Sequence, residues 1–243
     1  MRGLVRVGAA VPSLALGNVK ENMKRHLAMM REAKEKHVSI VTFPELSLTG
    51  YTCGDLFFQR RLLDDVTDAL LTLKDEMPEG ILAVVGAPLE IEGALYNCAV
   101  VLHKGEIISA VPKTFLPNNG EFYEKRWFQS GDARRDASVA IPKLKTDVCR
   151  QAIFETEDGV RFGIELCEDL WAPLPPSTML SVEGAEIILN LSASNELLSK
   201  REYRQQLISQ QSARCQCGYV YVSAGMGESS SDLVFSGHSV IAS

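Results

Sequence analysis

No stretch of this chain approaches the roughly 18 consecutive apolar residues of a membrane-spanning helix, and no basic excess offers a partner to phosphates. Lys and Arg number 25 against 31 Asp and Glu, giving a net charge of −6 and a pI near 5.3. That balance excludes a nucleic-acid binder working by phosphate neutralisation. Glycine-rich phosphate cradles are missing, so nothing here is built to hold ATP. Six cysteines are present, none in zinc spacing, and Cys215-Gln-Cys217 is one residue short of a C-x-x-C pair. Reduced thiols in a cytoplasmic protein without a metal site are the expectation. Repeats, low-complexity tracts and linkers are also absent. Arg6 and Pro12 interrupt the apolar start, so an opening strand fits it better than a signal peptide.

What remains is a chain of 243 residues, 46% of them hydrophobic, which is enough to fill a sizeable core. Helical and strand patterns alternate along it. A strand is predicted over 4–11. Asn18 then caps a helix, with Glu21 as its capping-box partner and Val19, Met23, Leu27 and Met30 along one face. The apolar run 38–43 is a strand ending in Pro44-Glu45, and 56–77 reads as a second helix. Strands over 81–91, 95–102 and 107–111 form a meander with turns at Gly93 and Lys104-Gly105, and its last member ends in Pro112-Lys113. Asp158-Gly159 is the turn of a hairpin joining 152–155 to 160–166. A short helix over 177–183, a strand over 186–191, a helix over 199–214 and strands over 219–223 and 233–242 complete the pattern. Hairpins interrupt the βα alternation, which predicts an α/β fold of two mixed sheets, packed face to face with helices outside. The chain stops inside its last strand, which reads as one domain, 1–243, truncated near its carboxyl end.

Three residues sit where strands end: Glu45, Lys113 and Cys167. Functional groups of α/β proteins gather at the carboxyl ends of strands. A thiol there is a candidate nucleophile. Glu45 is a candidate base if burial raises its pKa. Lys113, with the backbone N–H after Cys167, is a candidate oxyanion holder. Each residue alone also has a plain reading: a solvated strand cap for Glu45 or Lys113, and packing for Cys167. A Cys-His pair is the other nucleophilic arrangement to consider. However, His26, His37 and His103 fall on or near a helix or at a turn, none at a strand exit.

The flanking residues add a resemblance. Phe43-Pro44-Glu45-Leu46-Ser47-Leu48-Thr49-Gly50-Tyr51, Pro112-Lys113-Thr114-Phe115-Leu116-Pro117 and Glu165-Leu166-Cys167-Glu168-Asp169-Leu170-Trp171 resemble, in order, the three signatures of the nitrilase superfamily. The resemblance implies a four-layer α-β-β-α sandwich and a triad acting on carbon–nitrogen bonds. Glu45 would be the base, Lys113 the oxyanion stabiliser and Cys167 the nucleophile. It also implies a second glutamate on the lysine, with Glu124 the matching position and Glu121 a rival in the same loop.

The segments 190–195, 218–221, 225–229 and 232–239, with Asp55-Leu56 and Phe122-Tyr123-Glu124, are similar to the glutaminase domain of glutamine-dependent NAD+ synthetases. That branch implies glutamine as substrate and a glutamyl thioester on Cys167. The released ammonia would pass to a carboxyl-terminal synthetase domain absent from this chain, where ATP and Mg would serve to amidate nicotinic acid adenine dinucleotide. No cofactor is implied for the glutaminase domain itself. A homo-oligomer is implied, as are substrate contacts from Tyr51, Glu168, Trp171, Ser194 and Lys200, the last where relatives carry arginine. Asn119 stands where relatives often have tyrosine. The alternative within the superfamily is a stand-alone amidase or N-carbamoyl amide hydrolase. A non-catalytic scaffold of the same fold is disfavoured by the intact triad.

Overall fold

In a computed structural model of the chain, residues 5–133, 138–230 and 232–243 are described. The first sheet holds seven strands. β1 (Val7–Ala9), β2 (Ile40–Thr42) and β3 (Leu82–Ile91) run parallel. β4 (Ala94–His103) and β5 (Glu106–Pro112) continue from β3 as an antiparallel meander. A hairpin of β6 (Ser138–Ile141) and β7 (Thr146–Cys149) closes the far edge, with β7 pairing to β5. The second sheet holds β8 (Ile153–Glu155), β9 (Arg161–Leu166), β10 (Ile187–Ser192), β11 (Gly218–Ser223) and β12 (Val240–Ala242). Its order is β12-β11-β10-β9-β8, with β9, β10 and β11 parallel and both edges antiparallel.

Three apolar seams define four layers. Helices α1 (Val19–Glu35) and α2 (Arg60–Glu76) place Leu27, Met30, Val66 and Leu70 against Ala83, Val85 and Ala87 of β3. The other face of β3 gives Leu82 and Val84 to the seam between the sheets, opposite Phe162, Ile164, Leu166, Leu189 and Leu191. On the far side, α3 (Pro176–Val182) and α4 (Lys200–Cys215) bring Leu180 and Ile208 onto Ile188 and Tyr219. The period of two along each strand sorts these faces. Each fully buried aliphatic or aromatic side chain contributes about 1.5–3 kcal/mol. β9 shows the consequence: Phe162, Ile164 and Leu166 face the other sheet, while Gly163 faces α3. A Cβ on Gly163 would lie 2.8 Å from Leu180 Cδ1, so its absence lets α3 dock closely.

Several local expectations need correction. The first strand is only Val7–Ala9, and Leu4 lies outside the described residues. The helix expected over 56–77 begins at Arg60. Before it, Tyr51–Phe58 is a 3-10 segment kinked at Gly54 (φ +57), and Gln59 is extended. The strand expected over 233–242 shrinks to Val240–Ala242, because Gly237 turns at φ +72 and serine hydroxyls take up local backbone N–H groups. The β6–β7 hairpin was not foreseen, since its short strands flank Pro142 and a left-handed Lys145 (φ +52). Asn18 does cap α1, accepting the Glu21 N–H at 3.2 Å, but the Glu21 carboxylate pairs with Arg25 instead of returning to the cap.

Candidate active site

Glu45 leaves β2 through Phe43, whose N–H donates to the Val84 carbonyl, and Pro44. The turn is tight enough that Leu46 adopts φ +50. It also lies directly on β3: a Cβ on Gly86 would come within 2.4 Å of the Pro44 carbonyl oxygen and 2.3 Å of the Leu46 nitrogen. Both sheets therefore hold the Glu45 carboxylate. From the first, Asn97 Nδ2 and Lys113 Nζ donate to Oε1 at 2.7 and 2.6 Å. From the second, the Ala193 N–H donates to Oε2 at 2.9 Å, and the Glu45 N–H donates to the Ser192 carbonyl at 3.3 Å.

Lys113 is fully buried and pairs with a second carboxylate, Glu124, at 2.6 Å. Burial alone would depress this ammonium, but Glu124 and Glu45 together push it well above the ordinary lysine value. It is thus a fixed positive charge in a dry site. Glu124 feels the opposite balance. Burial, opposed by Lys113 and reinforced by Glu45, raises it to about 7. The rival Glu121 lies elsewhere, accepting the Asn195 side-chain amide.

Cys167 follows β9 directly and adopts φ +42, a conformation that costs a non-glycine residue energy. Burial, then the Glu45 charge, pushes its thiol far above the usual cysteine value, with Lys113 opposing. The Ala193 N–H that Glu45 accepts also favours the thiolate. The resting group is therefore a thiol beside a carboxylate, an arrangement in which the carboxylate could take the proton from an attacking sulfur.

The five residues expected to contact substrate divide into two groups. Tyr51 is buried and donates its hydroxyl to Glu124 Oε1 at 2.7 Å, so its polar end serves the lysine's partner. Ser194 is buried after Ala193, its N–H donated to Ser223 Oγ at 3.3 Å. Glu168, Trp171 and Lys200 gather at the mouth. Lys200 Nζ lies between the Trp171 ring (5.6 Å) and the Phe122 ring (5.7 Å) and donates to Asn195 Oδ1. Burial lowers its pKa, while Cys167, Glu121 and Glu168 act in the other direction. The mouth thus presents one cation within electrostatic reach of the thiol and two carboxylates within reach of that cation. A cleft of 180 Å³ bordered by Tyr51, Glu121 and Phe122 and one of 420 Å³ bordered by Thr114, Glu168 and Trp171 flank it. A larger cavity of 680 Å³ near Lys34 and Lys74 includes none of these residues.

The profile of the family described as carbon-nitrogen hydrolase matches residues 6–243. This chain belongs to the carbon-nitrogen hydrolase family. It is 38% identical over 242 residues to the glutamine-dependent NAD(+) synthetase of Mycobacterium tuberculosis, covering 98% of this chain but 36% of that protein. The crystal structure of a glutamine-dependent NAD(+) synthetase from Cytophaga hutchinsonii superposes with a TM-score of 0.85 at 29% identity, over 98% of this chain and 39% of that one. An amidase from Nesterenkonia sp. shares the fold, with a TM-score of 0.78 at 17% identity over 99% of this chain and 83% of that one. The chain therefore spans a little over a third of the synthetases it matches. Among the described residues, no helix is long and apolar enough to cross a membrane.

Several parts of this candidate site are not singled out by the sequence. Asn97 had a signal, being a lone amide inside an apolar strand. Arg204 had little, because a mid-helix arginine is ordinarily exposed. Here it is buried and holds the Asn195 carbonyl at 3.0 Å and Glu196 at 2.8 Å, which fixes the segment after Ser194. Glu228 accepts the Tyr51 N–H at 2.7 Å from 177 residues away, a contact no local pattern displays.

Proposed function

We propose that this chain hydrolyses the side-chain amide of glutamine through a thioester on Cys167. The observation that carries the reading is the Glu45 carboxylate, shared between Lys113 and the Ala193 N–H beside Cys167. The sulfur attacks the amide carbon while Glu45 takes the thiol proton. The resulting oxyanion is met by Lys113 and by the backbone N–H of Glu168. Collapse breaks the carbon–nitrogen bond as Glu45 returns its proton to the leaving nitrogen, and ammonia departs. Glu45 then takes a proton from water, whose oxygen attacks the thioester carbon, and the sulfur leaves with that proton. Glutamate and the original thiol result.

The mouth argues for an amino-acid amide over a simple one. Lys200 suits an α-carboxylate, and Glu168 with Glu121 suits an α-ammonium. Ammonia would then serve a further, ATP- and Mg-using domain lying in the length that the synthetases have and this chain does not. On that reading, residues 1–243 are the glutaminase unit, needing no cofactor of its own, of a cytoplasmic, oligomeric NAD+ synthetase.

Glutamate release from glutamine by the purified chain, and by Cys167→Ala, tests this. We expect activity in the first and none above background in the second. A glutamine-analogue electrophile such as diazo-oxo-norleucine should add to Cys167, located by peptide mass spectrometry. Adduct formation at Cys53 or Cys98, or hydrolysis of simple aliphatic amides with glutamine untouched, would overturn the reading.

A further inference from the structure

Asp169 lies two residues after the nucleophile and takes no part in the steps above. Its side chain is 1% exposed, and each oxygen accepts a backbone N–H. Oδ2 accepts the Leu166 N–H at 2.9 Å, from the last residue of β9. Oδ1 accepts the Phe115 N–H at 2.7 Å and the Thr114 N–H at 3.1 Å, from the two residues after Lys113. One carboxylate thus ties the exit of a second-sheet strand to the exit of a first-sheet strand. β5 and β9 belong to different sheets, so no ladder hydrogen bond can set their relative position.

Each tied segment has a reason to need the tie. Cys167 carries φ +42, and such a conformation persists only where its surroundings over-determine it. The Leu166 bond to Asp169 closes the turn around that strained residue. Lys113 is anchored on its own side, its N–H to the Asn97 carbonyl and its carbonyl to the Gly131 N–H, both at 2.8 Å. Those contacts fix its backbone on the first-sheet side, and its ammonium reaches the second sheet through the Glu45 carboxylate rather than directly. The bonds from Thr114 and Phe115 to Asp169 supply the direct tie to the exit of β9.

We infer that Asp169 is the positioning residue that sets Lys113 and the Cys167 elbow at their working separation. The inference rests on the Glu45–Lys113–Cys167 reading of the site. An asparagine keeps the shape but turns an amide N–H₂ toward one of the N–H groups that the carboxylate accepts, so one strand exit is released. A displacement of about 1 Å between reacting groups is worth on the order of 100-fold in rate.

The experiment is Asp169→Asn in the whole chain, with two readouts. For glutamine hydrolysis, kcat should fall by about 10- to 100-fold, with KM within about twofold of the unsubstituted protein, because the mouth residues Glu168, Trp171 and Lys200 keep their places. For Cys167 alkylation by iodoacetamide, the rate–pH profile should shift, because the Lys113 charge opposes the burial and the Glu45 charge that keep the thiol protonated, and its distance changes that opposition. The second readout needs no glutamine turnover. A protein that fails to hydrolyse glutamine but whose alkylation profile shifts on Asp169→Asn rejects the substrate and supports the positioning role. Unchanged kcat and an unchanged alkylation profile in a folded variant reject the positioning role alone. If the variant does not fold, hydrogen exchange in the unsubstituted protein decides. Joint protection of the Thr114, Phe115 and Leu166 amides supports the clamp, and fast exchange of the first two rejects it.

Discussion

Lys113 shows how much of this site is electrostatic construction. Its ammonium is buried with two carboxylates at 2.6 Å each, and Asn97 and Tyr51 supply those carboxylates with further donors. Removing one member of a buried ion group costs about 3–5 kcal/mol, because the opposite charge stays behind uncompensated. Lys113→Met nearly preserves side-chain length and removes the cation from between Glu45 and Glu124. We expect it to abolish glutamine hydrolysis and to lower stability by about 3–5 kcal/mol at pH 8, read from urea unfolding. The loss should shrink toward pH 5 as Glu124, already raised to about 7 with the lysine present, becomes protonated and no longer needs a partner. An equal loss at both pH values would contradict the buried triple. Glu45, Lys113 and Cys167 were legible in the sequence because each ends an apolar run. Asp169 and Glu228 were not, because a carboxylate that accepts distant backbone N–H groups looks in sequence like any surface acid.

At the scale of elements, the strands with strong alternation or sharp turns were the legible ones, such as the β3–β4–β5 meander with its glycine turns. The 3-10 segment Tyr51–Phe58 was not, because what holds it in place comes from far along the chain. Glu228 accepts the N–H groups of Tyr51 and Thr52, at 2.7 and 3.3 Å, and its own carbonyl accepts the Thr52 hydroxyl at 2.9 Å. Burial raises this carboxyl to about 7, against the pull of those donors. A carboxyl whose folded pKa exceeds its unfolded value binds more protons when folded. Its contribution to stability therefore falls as pH rises from about 4.5 to about 7 and is level above that. Glu228→Gln removes the titration while leaving an oxygen for the Tyr51 N–H. Relative to the unsubstituted protein, the variant should gain stability between pH 5 and pH 7.5, by up to about 3 kcal/mol. Urea unfolding at the two pH values checks this, and parallel pH dependence of both proteins would exclude Glu228 as the titrating group.

Across the whole molecule, the site is a product of sheet-on-sheet packing. Glu45 and Lys113 come from the first sheet, Cys167 and the Ala193 N–H from the second, and Asp169 bonds across the two. The seam between the sheets should thus matter to catalysis in a way that the helix layers do not. Leu191 and Leu70 separate the two effects. Both are fully buried leucines, Leu191 on β10 within the seam and Leu70 on α2 against the outer face of the first sheet. Truncating either to alanine should cost about 2–5 kcal/mol through lost burial and a residual cavity. Leu191 directly precedes Ser192 and Ala193, whose backbone groups hold Glu45. Relaxation around a cavity there moves the base relative to Cys167, so Leu191→Ala should lower kcat per folded molecule by about tenfold or more. The cavity left by Leu70→Ala relaxes among α2 and its neighbours, away from any triad contact, and kcat per folded molecule should stay within about twofold. Assays at a temperature where both variants are fully folded make the comparison clean. Equal losses of kcat would mean that the triad is held rigidly enough within each sheet to be indifferent to the seam, contrary to the two-sheet grip on Glu45.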